Sequence, residues 1–237
     1  MIFYKSMIAG AVEIARAEKD DPGLSCVLFD KDGSIAACNR WAIYAAQPTL
    51  TKLAVALPFP SGKVFETACA VSIAQLTGLL RSIPADKQFK GMLEHISAEQ
   101  DGQFLNIEFN DGRSVIKQKL RCSKVAEALR GWRARLKEIE SKKGSSAGNF
   151  VYNRARLVSV VNSIEAACKY NGEFAFVEKH SFASGEVWRS FNEISGQAVL
   201  VAHITPSAGN LPTKTDWEKG ISRNKIVLNI KKKYKNN

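Results

Sequence analysis

The residue types that support catalysis are sparse and scattered along this chain. The three histidines, His95, His180 and His203, stand alone, and no HExxH, GxSxG, Walker A loop or GxGxxG occurs. Asp20-Asp21 and the pair Asp30/Asp32 are the clearest carboxylate clusters, and both fall at turns, where Asp is favoured for bonding its own backbone. His95 and His203 are flanked by apolar residues, which fits packing within regular structure better than ligation. The five cysteines, Cys26, Cys38, Cys69, Cys122 and Cys168, include no CxxC pair and mostly lie in apolar runs. They read as reduced, buried thiols of a cytoplasmic protein; zinc and disulfide frameworks do not fit the spacing. The expectation is a non-enzyme with no metal and no cofactor.

Basic residues give the positive signal. Lys and Arg number 34 against 23 Asp and Glu, a net charge of +11. Residues 1–60 hold six bases and six acids, so the whole surplus lies beyond residue 60. Segregated charge is more informative than net charge alone, and a field of this sign attracts phosphate. Residues 123–143 carry seven Lys or Arg against three Glu. Within them Arg130, Arg133 and Lys137 fall at i, i+3, i+7, beside a Leu129/Trp132/Leu136 seam. Such a row can track phosphates without reading bases, or it can be the solvated face of an amphipathic helix; the sequence leaves both open. The tail Lys231, Lys232, Lys233, Tyr234, Lys235 is likewise either a nucleic-acid-binding arm or a solubilising end. No zinc-finger spacing, RNP aromatics or helix-turn-helix offers base-specific readout.

The elements that must position these groups follow one local grammar, used three times. A helix with apolar residues at i, i+3, i+4, i+7 comes first: Ile8/Ala11/Val12/Ala15, then Leu76/Leu79/Leu80/Ile83 ended by Pro84, then Leu157/Val160/Val161/Ile164 with Cys168 extending the stripe. A strand–turn–strand follows each. The first runs Leu24–Phe29, Asp30–Gly33, Ser34–Cys38. The second runs Phe104–Phe109, Asn110–Gly112, Ser114–Leu120. The third runs from Phe174–Val177 through Ala183–Gly185 to Val187–Phe191. Asp-Gly and Ser-Gly between apolar runs mark hairpins, because Gly supplies the positive φ of the turn.

Between the second and third units, Ser123 is placed to cap a helix running to about Lys142, followed by the connector Gly144-Ser-Ser-Ala-Gly148. Gln75-Leu-Thr-Gly-Leu-Leu80 has some character of a clamp-binding peptide, but its leucines already belong to the core stripe of the second helix. The expected domains are 1–121, a basic helix and linker at 122–148, and 149–237. The fold class is α+β, with antiparallel sheets and helices on one face. No run approaches the ~20 apolar residues of a membrane span, and Ile8–Ile14, interrupted by Glu13, is not a signal-peptide core.

This repeated helix–hairpin pattern resembles that of the DNA sliding clamps, the bacterial replicative clamp in particular. Ala36-Ala-Cys-Asn-Arg-Trp41 occupies the place of that family's Ala-Thr-Asp-Gly-His-Arg-Leu-type motif, with Ala36 and Arg40 matching. Ser195–Ile204 is similar in character to a clamp's closing strand. Bacterial clamps need about three domains per chain, and 237 residues hold at most two. That length is nearer the two-domain archaeal and eukaryotic clamps, which close as trimers; a divergent clamp of this size suggests a phage or mobile element. The resemblance implies a homo-oligomeric ring that tethers a polymerase on double-stranded DNA and catalyses nothing. It implies that ring-lining helices would present Arg16, Lys19, Arg81, Lys87, Arg154, Arg156 and Lys169 to duplex phosphates. Two other classes stay open at this point: a protein–protein adaptor without DNA affinity, and an unrecognised nucleic-acid enzyme.

Overall fold

The computed structural model describes residues 2–16, 20–46, 65–85, 94–141, 154–168, 177–182, 185–192 and 197–204, all within the compact unit formed by residues 1–205. The fold is α+β, with every strand among the described residues pairing antiparallel. The first unit is β1 (Ile2–Tyr4), α1 (Lys5–Ala15), β2 (Cys26–Phe29), β3 (Ile35–Cys38) and β4 (Ala42–Ala46). The second is β5 (Cys69–Ser72), α2 (Ile73–Ser82), β6 (His95–Asp101), β7 (Phe104–Asn110) and β8 (Val115–Arg121). A short turn of helix, α3 (Glu127–Arg130), leads to α4 (Trp132–Ser141). The third unit follows as α5 (Arg154–Cys168), β9 (Val177–Phe182), β10 (Gly185–Asn192) and β11 (Gln197–Ile204).

The three expected helix–hairpin units are present, although residues 174–176 and the turn residues Ala183 and Ser184 expected in the third lie outside the described residues. Gly33 and Gly112 take φ of 81° at the two expected Asp-Gly turns, and Gly102 takes φ of 56° at a third, Asp101-Gly102, which closes β6 onto β7. Each of the first two units, however, opens with a short strand before its helix, and those two strands are exchanged. β1 pairs with β6 of the second unit, with Phe3 opposite Ile96, while β5 pairs with β2 of the first, with Val27 opposite Val71. The result is a four-stranded sheet, β1-β6-β7-β8, and a seven-stranded sheet, β5-β2-β3-β4-β11-β10-β9. Neither of these units completes its sheet without the other. The third unit joins the first where β11 pairs with β4, Val201 opposite Tyr44.

Strand composition matches burial. β2, β3 and β4 read CVLF, IAAC and AIYAA and are buried at every position, as strands covered on both faces must be. β7 and β8 read FLNIEFN and VIKQKLR, alternating between core and water. One face of the seven-stranded sheet (Val27, Phe29, Ile35, Ala37, Tyr44, Val71, Val201) joins the larger core with α1, α2 and α5. The other face (Cys26, Leu28, Ala36, Cys38, Ile43, Ala45, Val187) is covered by Leu129, Trp132 and Ile139 of α3 and α4.

Helix α1 is buried almost all round, with Ser6, Met7 and Ile14 added to the expected stripe. It meets α5 at Gly10, where a Cβ would lie 2.7 Å from Ala167 Cβ, 2.8 Å from the Ser163 carbonyl oxygen and 2.9 Å from the Tyr44 ring. The crossing is also bonded: the Ser163 hydroxyl donates to the Gly10 carbonyl at 2.8 Å and the Tyr44 hydroxyl to the Met7 carbonyl at 2.9 Å. This close approach corrects the expected stripe of α5. Its buried residues are Val160, Ser163, Ile164, Ala167 and Cys168, whereas Val161 is 44% exposed. Small residues let the helix axes come together, and that rotates the larger Val161 outward.

Ser72 caps α2, its Oγ accepting from the Gln75 N–H at 3.4 Å and from Gln75 Nε2 at 3.2 Å. Leu76 and Leu79 are fully buried, so the core reading of 75–80 holds. The expected Ser123 cap does not form. The Ser123 N–H donates to the Ala70 carbonyl at 2.7 Å in a β-bridge, and the helix begins at Glu127. A residue held extended by a strand partner cannot at once supply the cap of a helix running straight on from it. No helix among the described residues is long and apolar enough to cross a membrane.

Gly10→Ala should lower unfolding stability by about 1–3 kcal/mol, because the added methyl must push aside backbone at Ser163, and that outweighs alanine's better helix propensity. Urea unfolding checks this; a variant as stable as the parent would mean that the crossing yields without cost.

Candidate nucleic-acid interface

The basic residues singled out in the sequence divide between two sides of the seven-stranded sheet. Arg16, Arg81 and Arg156 belong to the helices of the larger core. Arg16 follows the last residue of α1, exposed and ion-paired with Glu13 at 2.7 Å. Arg81 stands exposed in the last turn of α2, where a cation also complements the helix dipole. Arg156, in the first turn of α5, places its guanidinium 5.4 Å from the centre of the Trp41 ring. Arg154 begins α5. Lys19, Lys87, Lys169, Lys231, Lys232 and Lys233 lie outside the described residues.

Arg130, Arg133 and Lys137 sit on α3 and α4, which cover the opposite face of the same sheet. The structure therefore does not bring the two sets together on one surface. Arg130 and Lys137 are exposed. Arg133 is engaged: its guanidinium pairs with Asp30, with Asp32 at 2.7 Å, and lies over the Trp132 ring at 4.3 Å. The Asp30/Asp32 cluster thus serves the turn and its docking partner. Asp32 Oδ1 accepts the Ser34 N–H at 2.9 Å. Partial burial pushes the Asp32 carboxyl upward, but the bonds from Ser34 and the Arg133 guanidinium outweigh it and hold the group below the usual carboxylate range.

Burial is the main force on this helical strap. Leu129, Trp132 and Ile139 are each worth about 1.5–3 kcal/mol when covered, against up to ~1 kcal/mol for a typical exposed ion pair. Arg133 sets where the strap lands on β2 and β3. At the far end Glu140 pairs with Arg189 of β10 at 3.1 Å.

A third basic group escaped the sequence reading. Lys117, Lys119 and Arg121 alternate along β8, all on the solvent face of the four-stranded sheet. Lys119 bonds Asp101 at 3.1 Å and lies 4.4 Å from the centre of the half-exposed Phe104 ring; Lys117 pairs with Glu108 at 3.4 Å. The signal of this group in the sequence is a cation at every second residue of KQKLR, the period of a strand and not of a helical stripe.

Among the described residues, no group of three or more His, Cys, Asp or Glu is placed to hold a metal ion. His95 is buried in β6. Burial pushes the Cys38 thiol up to about 12, which leaves it a poor nucleophile. Taken together, the arrangement offers exposed cations on helices and on a strand, suited to attracting a polyanion.

No family model matches the chain, and no curated protein matches it. Similarity is to solved structures. The beta clamp of H. pylori, in complex with diflunisal, aligns with a TM-score of 0.50 at 10% identity, over 86% of this chain and 64% of the clamp. A structure of the C-terminal region of FEN-1 bound to A. fulgidus PCNA aligns with a TM-score of 0.50 at 8% identity, over 88% of this chain and 98% of that one. The chain thus spans slightly under two thirds of the bacterial clamp. The shared feature is the clamp-like fold.

Arg133→Ala should cost about 1–2 kcal/mol of stability through the lost charge-assisted bonds and ring contact, while Arg130→Ala and Lys137→Ala should cost under ~0.5 kcal/mol. Thermal unfolding of the three variants separates these outcomes. Asp32 has a depressed folded-state value, so its contribution is present above the ordinary carboxylate range and fades as pH falls through that depressed value. The stability gap between the parent and Asp32→Asn should therefore be full at pH 7 and should shrink below about pH 4; a gap unchanged at pH 2.5 would refute the pairing.

Proposed function

We propose that this chain is a sliding-clamp-type accessory protein of replication or repair, holding duplex DNA through backbone charge and performing no chemistry itself. One observation carries the reading: the fold is clamp-like, and the helices of its larger core present Arg16, Arg81 and Arg156 at exposed or half-exposed positions. The alignment over 98% of the PCNA chain supports a two-domain plan, with residues 1–121 as one clamp domain, 122–148 as a connection and 149–237 as the second. The strand exchange between β1 and β5 supports treating 1–121 as a unit. On this plan several copies of the chain associate to close a ring, and a polymerase is the partner that such a ring would retain on DNA.

On this reading the residues that meet the phosphates are Arg16, Arg81, Arg154 and Arg156, together with Lys19, Lys87 and Lys169, which lie outside the described residues. Arg130 and Lys137, across the sheet, do not share their surface. Arg133 serves the strap.

A second reading has its own support. The exposed face of α5 includes Val158 and Val161, 47% and 44% exposed, beside Asn162 and Glu165. A face with two exposed valines and a carboxylate suits a protein contact better than a phosphate backbone, which favours an adaptor.

The test pairs affinity with assembly state. Duplex DNA binding, followed by fluorescence anisotropy, should weaken steeply with salt and show little sequence preference. The triple variant Arg16→Glu/Arg81→Glu/Arg156→Glu should lose affinity equally on all sequences and flatten the salt slope by about three. Arg130→Glu/Lys137→Glu should leave affinity nearly unchanged. Native mass should be an integer multiple of 26.1 kDa greater than one. A monomer with no affinity at low salt would reject the clamp and favour the adaptor.

A further inference from the structure

The two sheets are tied by one backbone contact outside the named strands, among the described residues. Ser123, two residues past the end of β8, bridges to Ala70 in β5, and its N–H bonds the Ala70 carbonyl at 2.7 Å. The Cys122 N–H donates to the Gln103 carbonyl at 2.8 Å, so both residues are fixed by backbone bonds. This seam carries two thiols: Cys69, buried, one residue before Ala70, and Cys122, half-buried, one residue before Ser123. Cys122 packs against the core cluster that contains Cys69, and the two side chains hydrogen-bond each other. The other three thiols are buried: Cys26 in the smaller core, where its Sγ donates to the Pro22 carbonyl at 3.3 Å, Cys38 in that same core, and Cys168 under α1.

We infer that Cys69 and Cys122 form a redox modification site, a dithiol that hydrogen peroxide converts to a disulfide across the seam between the sheets. The hydrogen bond from the Cys69 thiol favours thiolate at Cys122 against the opposing effect of partial burial. The same bond, with burial, keeps Cys69 protonated. The accessible, thiolate-prone sulfur is thus Cys122, and the buried thiol behind it is the resolving partner.

The Cys122 sulfur attacks one peroxide oxygen, the O–O bond breaks, and the departing hydroxide takes a proton to leave as water. Cys122 becomes a sulfenic acid. The Cys69 sulfur then attacks the Cys122 sulfur and the S–O bond breaks. The second hydroxide takes the Cys69 proton and leaves as water. Two thiols lose two electrons and two protons, and one peroxide becomes two waters. The bond joins β5 to the exit of β8, at the root of the α3–α4 strap. A thiol reductant reverses it.

The full chain, treated with a small molar excess of hydrogen peroxide, alkylated and digested, should yield a Cys69–Cys122 linked peptide by mass spectrometry. Three of the five thiols should remain open to alkylation after denaturation, and dithiothreitol should restore all five. Cys69→Ser should stop at a Cys122 sulfenic acid that dimedone traps. Cys122→Ser should give no link and leave Cys69 reduced. No linked peptide in the parent, links distributed among all five cysteines, or peroxide consumption undiminished in Cys122→Ser would each overturn the assignment. Peptide mapping of the parent decides even where a serine variant fails to fold.

Discussion

A sheet that is apolar on both faces cannot meet water on either, and β2, β3 and β4 are apolar on both. The architecture follows from that constraint. One face requires α1, α2 and α5; the other requires a second helical layer, which the chain supplies from the segment linking its second and third units. The four-stranded sheet carries no such demand, because its strands alternate and leave a polar face exposed. Covering the first sheet twice also separates the cations. Those on the larger-core helices and those on the strap end up divided by a layer of strands, although net charge alone would count them together.

The larger core is held by exchange and by close approach. Exchange of β1 and β5 makes the first two units depend on each other, and the pairing of β4 with β11 carries the seven-stranded sheet on into the third unit. Close approach at Gly10 then ties the third unit to the first. The polar side chains at the crossing, Ser163 and Tyr44, donate to helix carbonyls, which satisfies buried groups that would otherwise be costly. Asn39 extends the pattern, its Nδ2 donating to the Ile14 carbonyl at 3.2 Å while its Oδ1 accepts the N–H groups of Trp41 and Ala42.

Geometry decides which cations are engaged in the architecture of this molecule and which are left facing solvent. Arg130 and Arg133 are three residues apart, on either side of the break between α3 and α4. Arg133 faces two turn carboxylates and an indole ring, whereas Arg130 faces solvent. The Asp30/Asp32 pair, the best carboxylate cluster in the sequence, has the same architectural role from the other side. Helix spacing alone could not separate these roles, because the partner carboxylates lie about a hundred residues earlier in the chain.

The sequence by itself determined the three helix–hairpin units, the Asp-Gly turns that close the first two hairpins, and the α+β class. Each is encoded locally: periodicity at 3.6 or 2 residues, and glycine where φ must be positive. It also held the contrast between doubly buried and half-buried strands, in CVLF against VIKQKLR. Only the tertiary structure decided which strands exchange, because β1 and β5 are three- and four-residue runs too short for a periodic signal. It alone turned Val161 outward, since the buried face of α5 is chosen by the shape of α1 at Gly10 and not by hydrophobicity. It alone drew Ser123 into a bridge and set Cys69 beside Cys122. Contacts between residues far apart in the chain depend on how the layers stack, and no local pattern records that.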